Sequence, residues 1–172
     1  MWVFGYGSLM WDGWEEQHGC TRRVVADLLG YCRMFNKASI KNWGSKSMPC
    51  PTLNLSEVVG GVCRGIAFEF PDAQKSTILA YLEKREGKTF PLHELSVRLE
   101  GKIEVSAFVS IYKGKNVIDG NTLEEVSAMV SVASGTSGSC LTYVKGVAEE
   151  LSGLEIDDPV VSELWCKVKP HA

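Results

Sequence analysis

The apolar positions of this chain follow two different periods, one in its first two thirds and another in its last third. Short apolar or alternating runs, typical of strands, occur in the first part at residues 2–5, 23–36, 52–55, 61–70, 93–99 and 103–112. From Thr122 onward the apolar residues recur at helical spacing. This later part predicts helices over residues 122–133, 139–151 and 158–168.

One helix is predicted between the strands. The segment "DAQKSTILAYLEKREG" follows Pro71, begins with a capping residue at Asp72 and ends at Gly87. Strands with a single helix among them, followed by a helical tail, indicate an α+β fold around a strongly bent or barrel-like sheet.

Composition sets limits on the size and partners of the protein. With 172 residues and 18.9 kDa, the chain is predicted to form a single domain over residues 1–172. The net charge is only −3 and the basic residues are spread along the chain. Because a phosphate backbone selects for clustered positive charge, nucleic acid is not an expected partner.

Two features of the sequence concern the compartment. The N-terminus has no basic leader and its apolar run is interrupted by glycines after four residues, so neither a signal peptide nor a membrane span is predicted. We therefore expect no membrane partner and a cytoplasmic location. Six cysteines occur without a Cys-x-x-Cys pair, which disfavours zinc binding and a disulfide framework and predicts thiols that are mostly buried.

The first candidate site is the bend that follows the N-terminal strand, "GYGSL". A dinucleotide-binding fingerprint is excluded because Met10 stands where its third glycine would be, and no βαβ unit follows. Consecutive backbone amides at the end of a strand can instead form a nest for a carboxylate or an oxyanion. A tight turn that merely needs glycine is the alternative. The amides concerned belong to Tyr6, Gly7, Ser8 and Leu9.

The second candidate is a carboxylate on the apolar side of the predicted helix. At about 100° per residue from Ile78, Leu82 falls near 40°, Glu86 near 80° and Glu83 near 140°. Glu86 therefore lies within the apolar arc, whereas Glu83 lies at its margin and can reach water. A carboxylate on a buried face needs a partner or a function.

Shielding from solvent and the negative end of the helix dipole both predict a raised pKa for Glu86. A carboxylate of this kind is suited to act as a general base near neutral pH. The alternative is a structural ion pair with Arg85 or Arg64.

Two motifs together resemble a known family. "WVFGYGSLMW" near the N-terminus and "YLEKREG" after a strand and a helix are similar to the ChaC-like γ-glutamylcyclotransferases, which have a Tyr-Gly-Ser-Leu loop and a later Tyr-Leu-x-x-Arg-Glu. The likeness extends to "CLTYVKGVAEEL" near the end of the chain. It implies a small mixed β-barrel-like sheet with surrounding helices and no cofactor. It also implies a reaction in which the α-amine of a small-molecule γ-glutamyl substrate attacks its own γ-carbonyl and releases 5-oxoproline.

The resemblance also implies roles for individual residues. Glu86 corresponds to the catalytic glutamate of the family, and the residues implied to bind substrate are Tyr6, Gly7, Ser8, Leu9 and Tyr143. The expected substrate is glutathione, and two alternatives stay open: a γ-glutamyl amine other than glutathione, or a non-catalytic anion-binding module. The chain departs from the family pattern at Asn42-Trp43-Gly44, Cys140 and Thr142, positions that concern the part of the substrate beyond the glutamyl unit.

Overall fold

A computed structural model describes residues 1–170, and in it five strands close into a barrel. The barrel strands are β1 (Trp2–Gly5), β2 (Arg22–Ser39), β3 (Cys50–Glu69), β4 (Leu92–Leu99) and β5 (Glu104–Ser110). The helices are α1 (Trp14–Gln17), α2 (Lys75–Glu86), α3 (Leu123–Val132), α4 (Cys140–Gly153) and α5 (Pro159–Val168). A short hairpin of β6 (Ser134–Gly135) and β7 (Gly138–Ser139) precedes α4. The predicted α+β fold, a mixed barrel-like sheet with helices, is confirmed.

The strand order around the barrel is β1-β3-β2-β4-β5. Strand β1 runs antiparallel to β3, with Phe4 opposite Ala67, and parallel to β5, with Phe4 opposite Val109. Strands β4 and β5 are antiparallel. The parallel pair makes the sheet mixed, and the chain leaves β1 into the glycine-containing bend at the end of that pair.

The chain forms two compact units. The first comprises Met1–Cys32 and Leu55–Gly114, and the second comprises Arg33–Asn54 and the chain from Lys115 onward. Both β2 and β3 contribute residues to each unit. The assignment of residues 1–172 to one domain stays a prediction.

The core of the first unit is built from apolar residues of its strands and of α2. Phe4, Phe68, Ile78 and Val109 have almost no exposed surface. The strands approach each other closely before the bend, since a Cβ built on Gly65 would lie only 2.4 Å from the Gly5 carbonyl oxygen. This contact leaves no room for a side chain at that point of β3.

Helix α2 ends at Gly87 as predicted, but the predicted capping role of Asp72 is wrong, because neither the 3-10 turn at its start nor α2 itself has a side-chain cap. A 3-10 turn, Asp72–Gln74, runs directly into Lys75–Glu86. The N-terminal ammonium group lies 2.6 Å from Asp72 Oδ1, which ties this turn to the start of β1. Gly87 ends the helix with φ of 80°, a conformation that favours glycine.

The helices of the second unit are also confirmed, with bounds within two residues of those predicted. Thr122 and Glu125 form a reciprocal capping box at the start of α3. Asp158 caps α5 with Pro159 at its first position, a combination that favours helix initiation.

One detail of the strand prediction is wrong. The segments predicted at residues 52–55 and 61–70 belong to one strand, β3. Its middle, residues 57–60, has the sequence Glu-Val-Val-Gly and is exposed throughout, so apolar and polar positions do not alternate there although the extended conformation continues. The short α1 and the β6-β7 hairpin have no apolar period long enough to predict them.

The prediction for the cysteines is also wrong. Cys50 and Cys140 form a disulfide across 90 residues of sequence, and both are fully buried. Of the other four, Cys63 is buried, Cys166 is exposed, and Cys20 and Cys32 are partly exposed. Spacing in sequence could not reveal this pair because the fold, and not a local motif, brings the two residues together.

Candidate active site

The structure distributes the candidate residues between the two units. The bend at Tyr6–Leu9 follows β1 directly, and Ser8–Met10 forms a 3-10 turn. Glu86 is the last residue of α2. The bend and Glu86 belong to the first unit, whereas Tyr143 lies on α4 in the second.

Buried hydrogen bonds hold the bend in position. The Tyr6 hydroxyl donates to the Ser110 carbonyl oxygen at 2.8 Å. The Trp14 indole nitrogen donates to the Leu9 carbonyl oxygen at 3.0 Å. The residues between them therefore have little freedom to move, and the first amide hydrogens of the 3-10 turn have no acceptor within that turn.

Glu86 is shielded from most of the solvent, as the helical phase predicts. Its side chain is 18% exposed, whereas Glu83, three residues earlier, is exposed to solvent. The buried residues of α2 are Ile78 and Leu82. Glu86 thus stands at the edge of the buried face of its helix.

Arg85 forms the ion pair that was the alternative explanation of Glu86. Its Nε lies 3.2 Å from Glu86 Oε1. The other suggested partner, Arg64, pairs instead with Asp27 at 2.8 Å, so that part of the alternative is wrong.

The same guanidinium group also reaches the bend. Arg85 Nη2 donates to Ser8 Oγ at 3.3 Å and lies 2.5 Å from Asp12 Oδ2. The candidate base and a residue of the candidate substrate loop therefore share one cation. This arrangement joins two motifs that are 77 residues apart in sequence.

Arg85 is a permanent positive charge at this site. Burial alone would lower its pKa, but the hydrogen bonds to Asp12 and Tyr81 and the negative charges of Asp12 and Glu86 outweigh burial and raise the pKa. The group therefore stays protonated at any pH at which the protein is folded.

A stacked pair of aromatic rings, Tyr81 and Trp14, lies next to Arg85. Arg85 Nη1 donates to the Tyr81 hydroxyl at 3.3 Å. The Tyr81 ring lies almost parallel to that of Trp14, with centroids 5.6 Å apart. Trp14 also holds Leu9, so the stack connects α2 with the bend.

Sequence reasoning missed Asp12 and Tyr81 as parts of this cluster. Tyr81 begins the "YLEKREG" motif, and this was the signal that could have found it. Nothing in the sequence around Asp12 distinguishes it from an ordinary loop carboxylate.

Tyr143 is almost fully buried in the second unit. Its hydroxyl accepts a hydrogen bond from the Leu53 amide at 3.0 Å. Its ring lies 5.4 Å from that of Trp43. Cys140 lies one helical turn before it on α4, so the disulfide to Cys50 fixes the start of the helix that carries Tyr143.

Within residues 1–170, no group of three or more His, Cys, Asp or Glu side chains could hold a metal ion. Over the same residues, every helix is too short or too polar to cross a membrane.

Comparison with known proteins reveals relatives along almost the whole sequence. Residues 1–171 match the family described as ChaC-like protein. A glutathione-specific gamma-glutamylcyclotransferase 1 from Danio rerio is 30% identical, with 92% of this chain and 84% of the relative covered. The glutathione-specific gamma-glutamylcyclotransferase of Escherichia coli is also 30% identical, over 98% of this chain and 73% of the relative.

Solved structures agree with the fold. The crystal structure of a gamma-glutamyl cyclotransferase specific to glutathione from yeast superimposes with a TM-score of 0.87 at 21% identity. The likeness covers 98% of this chain and 95% of the yeast chain. With the family match over residues 1–171, the conclusion is that this chain belongs to the ChaC-like family of γ-glutamylcyclotransferase enzymes.

Proposed function

We propose that this protein converts glutathione to 5-oxoproline and the released dipeptide, with Glu86 as general base and then general acid. The family membership and the glutathione specificity of the relatives from Danio rerio and Escherichia coli support the choice of substrate. The observation that carries the choice of residues is the contact of one guanidinium group, that of Arg85, with both Ser8 and Glu86.

The reaction needs a proton acceptor before it needs anything else. The α-ammonium group of the substrate loses a proton to Glu86, and the freed amine attacks the γ-carbonyl carbon. A C–N bond forms in the new five-membered ring, and the carbonyl electrons move to oxygen. The oxyanion then re-forms the carbonyl group as the original amide bond breaks, and Glu86 returns its proton to the leaving nitrogen. The ring nitrogen still carries two hydrogens after its attack and passes one of them, again through Glu86, to the released amine, which leaves as an ammonium group. Water is not consumed.

The bend after β1 is proposed to hold the anionic oxygens of the substrate. Its backbone amides, from Tyr6 to Leu9, are suited to the α-carboxylate or to the oxyanion that develops on the γ-carbonyl. The Ser8 hydroxyl accepts from Arg85, so its own hydrogen is available for donation to such an oxygen. Holding the glutamyl chain folded brings the amine near the carbonyl and lowers the entropic barrier to ring closure.

Tyr143 is proposed as a further substrate-binding residue, on the basis of its correspondence to the family tyrosine. Its neighbour Trp43 belongs to the segment that departs from the family pattern. The two rings are therefore proposed to contact the part of the substrate beyond the glutamyl unit. A cytoplasmic location is part of the same proposal.

The decisive experiment compares Glu86→Gln with Glu83→Gln. Glutamine keeps an oxygen that accepts from Arg85 but cannot take up a proton, so we expect turnover to fall by a factor of about 100 or more. Glu83 is an exposed carboxylate on the same helix and provides the matched control, with turnover expected within about two-fold of wild type. Full activity of a folded Glu86→Gln protein would exclude Glu86 as the base.

A substrate panel separates the proposal from its alternatives. The protein is incubated with glutathione, with another γ-glutamyl peptide and with a γ-glutamyl amine, and 5-oxoproline is measured by mass. Product from glutathione supports the proposal. Product from the amine alone would favour the other substrate, and retained 5-oxoproline without turnover would favour a binding module.

A further inference from the structure

We propose that Arg85 is a positioning residue for this reaction, one that fixes Glu86 against the bend after β1 and keeps its carboxylate ionised for proton transfer. The inference rests on the proposed function, in which Glu86 is the base. It goes beyond that function because it gives Arg85 a role of its own, in setting the orientation and charge state of Glu86, which can be tested separately.

The first support is the geometry around the guanidinium group. Each of its three nitrogens has a partner: Nε contacts Glu86, Nη1 contacts Tyr81, and Nη2 contacts both Ser8 and Asp12. A planar group with rigid donors fixes the relative orientation of its acceptors in a way that a lysine cannot. The side chain is only 19% exposed, so competition from water is limited.

The second support is the way in which the guanidinium group is itself held. Asp12 accepts from it on the side of the bend, and Tyr81 accepts from it on the side of α2. Tyr81 is stacked on Trp14, and Trp14 donates to Leu9. Arg85 is thus clamped between the same two elements that it joins.

The third support is the balance of charge. The charged and titratable groups that meet at Arg85 are Glu86 and Tyr81 from its own helix and Asp12 from the segment between the bend and α1. The His18 ring packs on Tyr81 with centroids 4.2 Å apart, and Lys84 and Lys88 flank the cluster in sequence. The cation favours the ionised form of Glu86, because an opposite charge in contact stabilises a carboxylate. Asp12 acts in the opposite direction, since it brings a second negative charge to the same cation.

Removal of Arg85 and removal of Asp12 are therefore expected to shift the ionisation of Glu86 in opposite directions. Removal of the cation in Arg85→Met should move the acidic limb of the kcat/KM profile to higher pH, by about one unit or more. Removal of the competing carboxylate in Asp12→Asn should move that limb to lower pH. Arg85→Lys keeps the positive charge and loses the planar set of hydrogen-bond donors. The acidic limb of its kcat/KM profile should therefore stay near that of wild type, while kcat falls about ten-fold.

The experiment measures kcat and KM with glutathione from pH 5 to 9 for wild type, Arg85→Met, Arg85→Lys, Asp12→Asn and Lys84→Met. Lys84→Met is the matched control because it removes an exposed positive charge from the neighbouring position of α2. A purely structural role for Arg85 would lower stability and kcat without any shift of the acidic limb. An acidic limb of Arg85→Met that coincides with that of wild type would overturn the inference.

Two further readouts keep the test decisive. If Arg85→Met does not fold, the sign of the shift in Asp12→Asn decides, and a shift to higher pH would count against the inference. Glu86→Gln, measured in the same experiment, separates the proposed function from the positioning role of Arg85. Turnover near that of wild type in this variant would contradict the proposed function itself. An inactive Glu86→Gln with an unshifted Arg85→Met defeats the positioning role alone.

Discussion

Arg33 donates a hydrogen bond from Nη1 to Asp158 Oδ2 at 2.8 Å, and the Arg33 side chain is fully shielded from solvent. Asp158 has a second task, because its Oδ1 accepts from the Val161 amide and caps α5. One carboxylate in the second unit therefore both compensates a buried cation and begins a helix.

We expect Asp158→Asn to lower the free energy of unfolding by about 3–5 kcal/mol, because it removes the negative charge of Asp158 from the buried guanidinium of Arg33. Asparagine is also a good N-cap, so the helix start is conserved and the loss reports on the ion pair. Urea unfolding at pH 7 measures the difference.

The matched control for this change is Glu149→Gln. Glu149 pairs with Lys145 one turn earlier on α4, and both side chains are more than half exposed. Removal of such a pair is expected to cost about 0.5 kcal/mol or less. Equal losses in the two variants would mean that the buried pair has no special role in stability.

The disulfide between Cys50 and Cys140 should make stability depend on the redox state. It closes a loop across 90 residues of sequence, and in the chain-entropy model this stabilises the fold by about 4–5 kcal/mol. We expect urea unfolding of the reduced protein to show a loss of that order. The double variant Cys50→Ala/Cys140→Ala should be insensitive to reductant, and an equal response in both proteins would contradict the assignment.

The same disulfide can be checked by counting the cysteines that an alkylating reagent modifies under denaturing conditions, before and after reduction. Four cysteines should react before reduction and six after it. Six reactive cysteines before reduction would contradict the assignment of this disulfide.

Local signals in the sequence were sufficient for most of the elements. The ends of α2, α3 and α5 each have a capping residue, a glycine or a proline that acts within a few positions of the boundary. The inward position of Glu86 likewise depends only on the spacing of Ile78 and Leu82 along one helix.

What the sequence could not predict are the contacts between distant segments. Ser8 and Arg85 are 77 residues apart, and Arg33 and Asp158 are 125 apart. These contacts arise where a helix packs on a distant segment, α2 on the bend after β1 and the start of α5 on β2, and no local pattern encodes such packing. The motif "YLEKREG" marked Arg85 as one alternative partner of Glu86 and gave no hint of its contact with the bend.

Glu15 gives the fold a pH dependence of predictable sign. The residue is only 7% exposed, and its Oε2 has no hydrogen-bond partner within residues 1–170. Burial raises its pKa above the ordinary value of 4.5, against the backbone hydrogen bond of Glu15 itself and the charge of Arg23, whose Nε lies 3.6 Å from Oε1. The folded state therefore binds this proton more tightly than the unfolded state does.

Because the folded pKa is the higher one, the contribution of Glu15 to stability falls as pH rises from about 4.5 through the folded pKa. Glu15→Gln removes this titration, so its free energy of unfolding should improve relative to wild type as pH increases through the window. Urea unfolding between pH 4 and 7 follows the difference. A difference between Glu15→Gln and wild type that stays constant over this pH range would contradict the raised pKa.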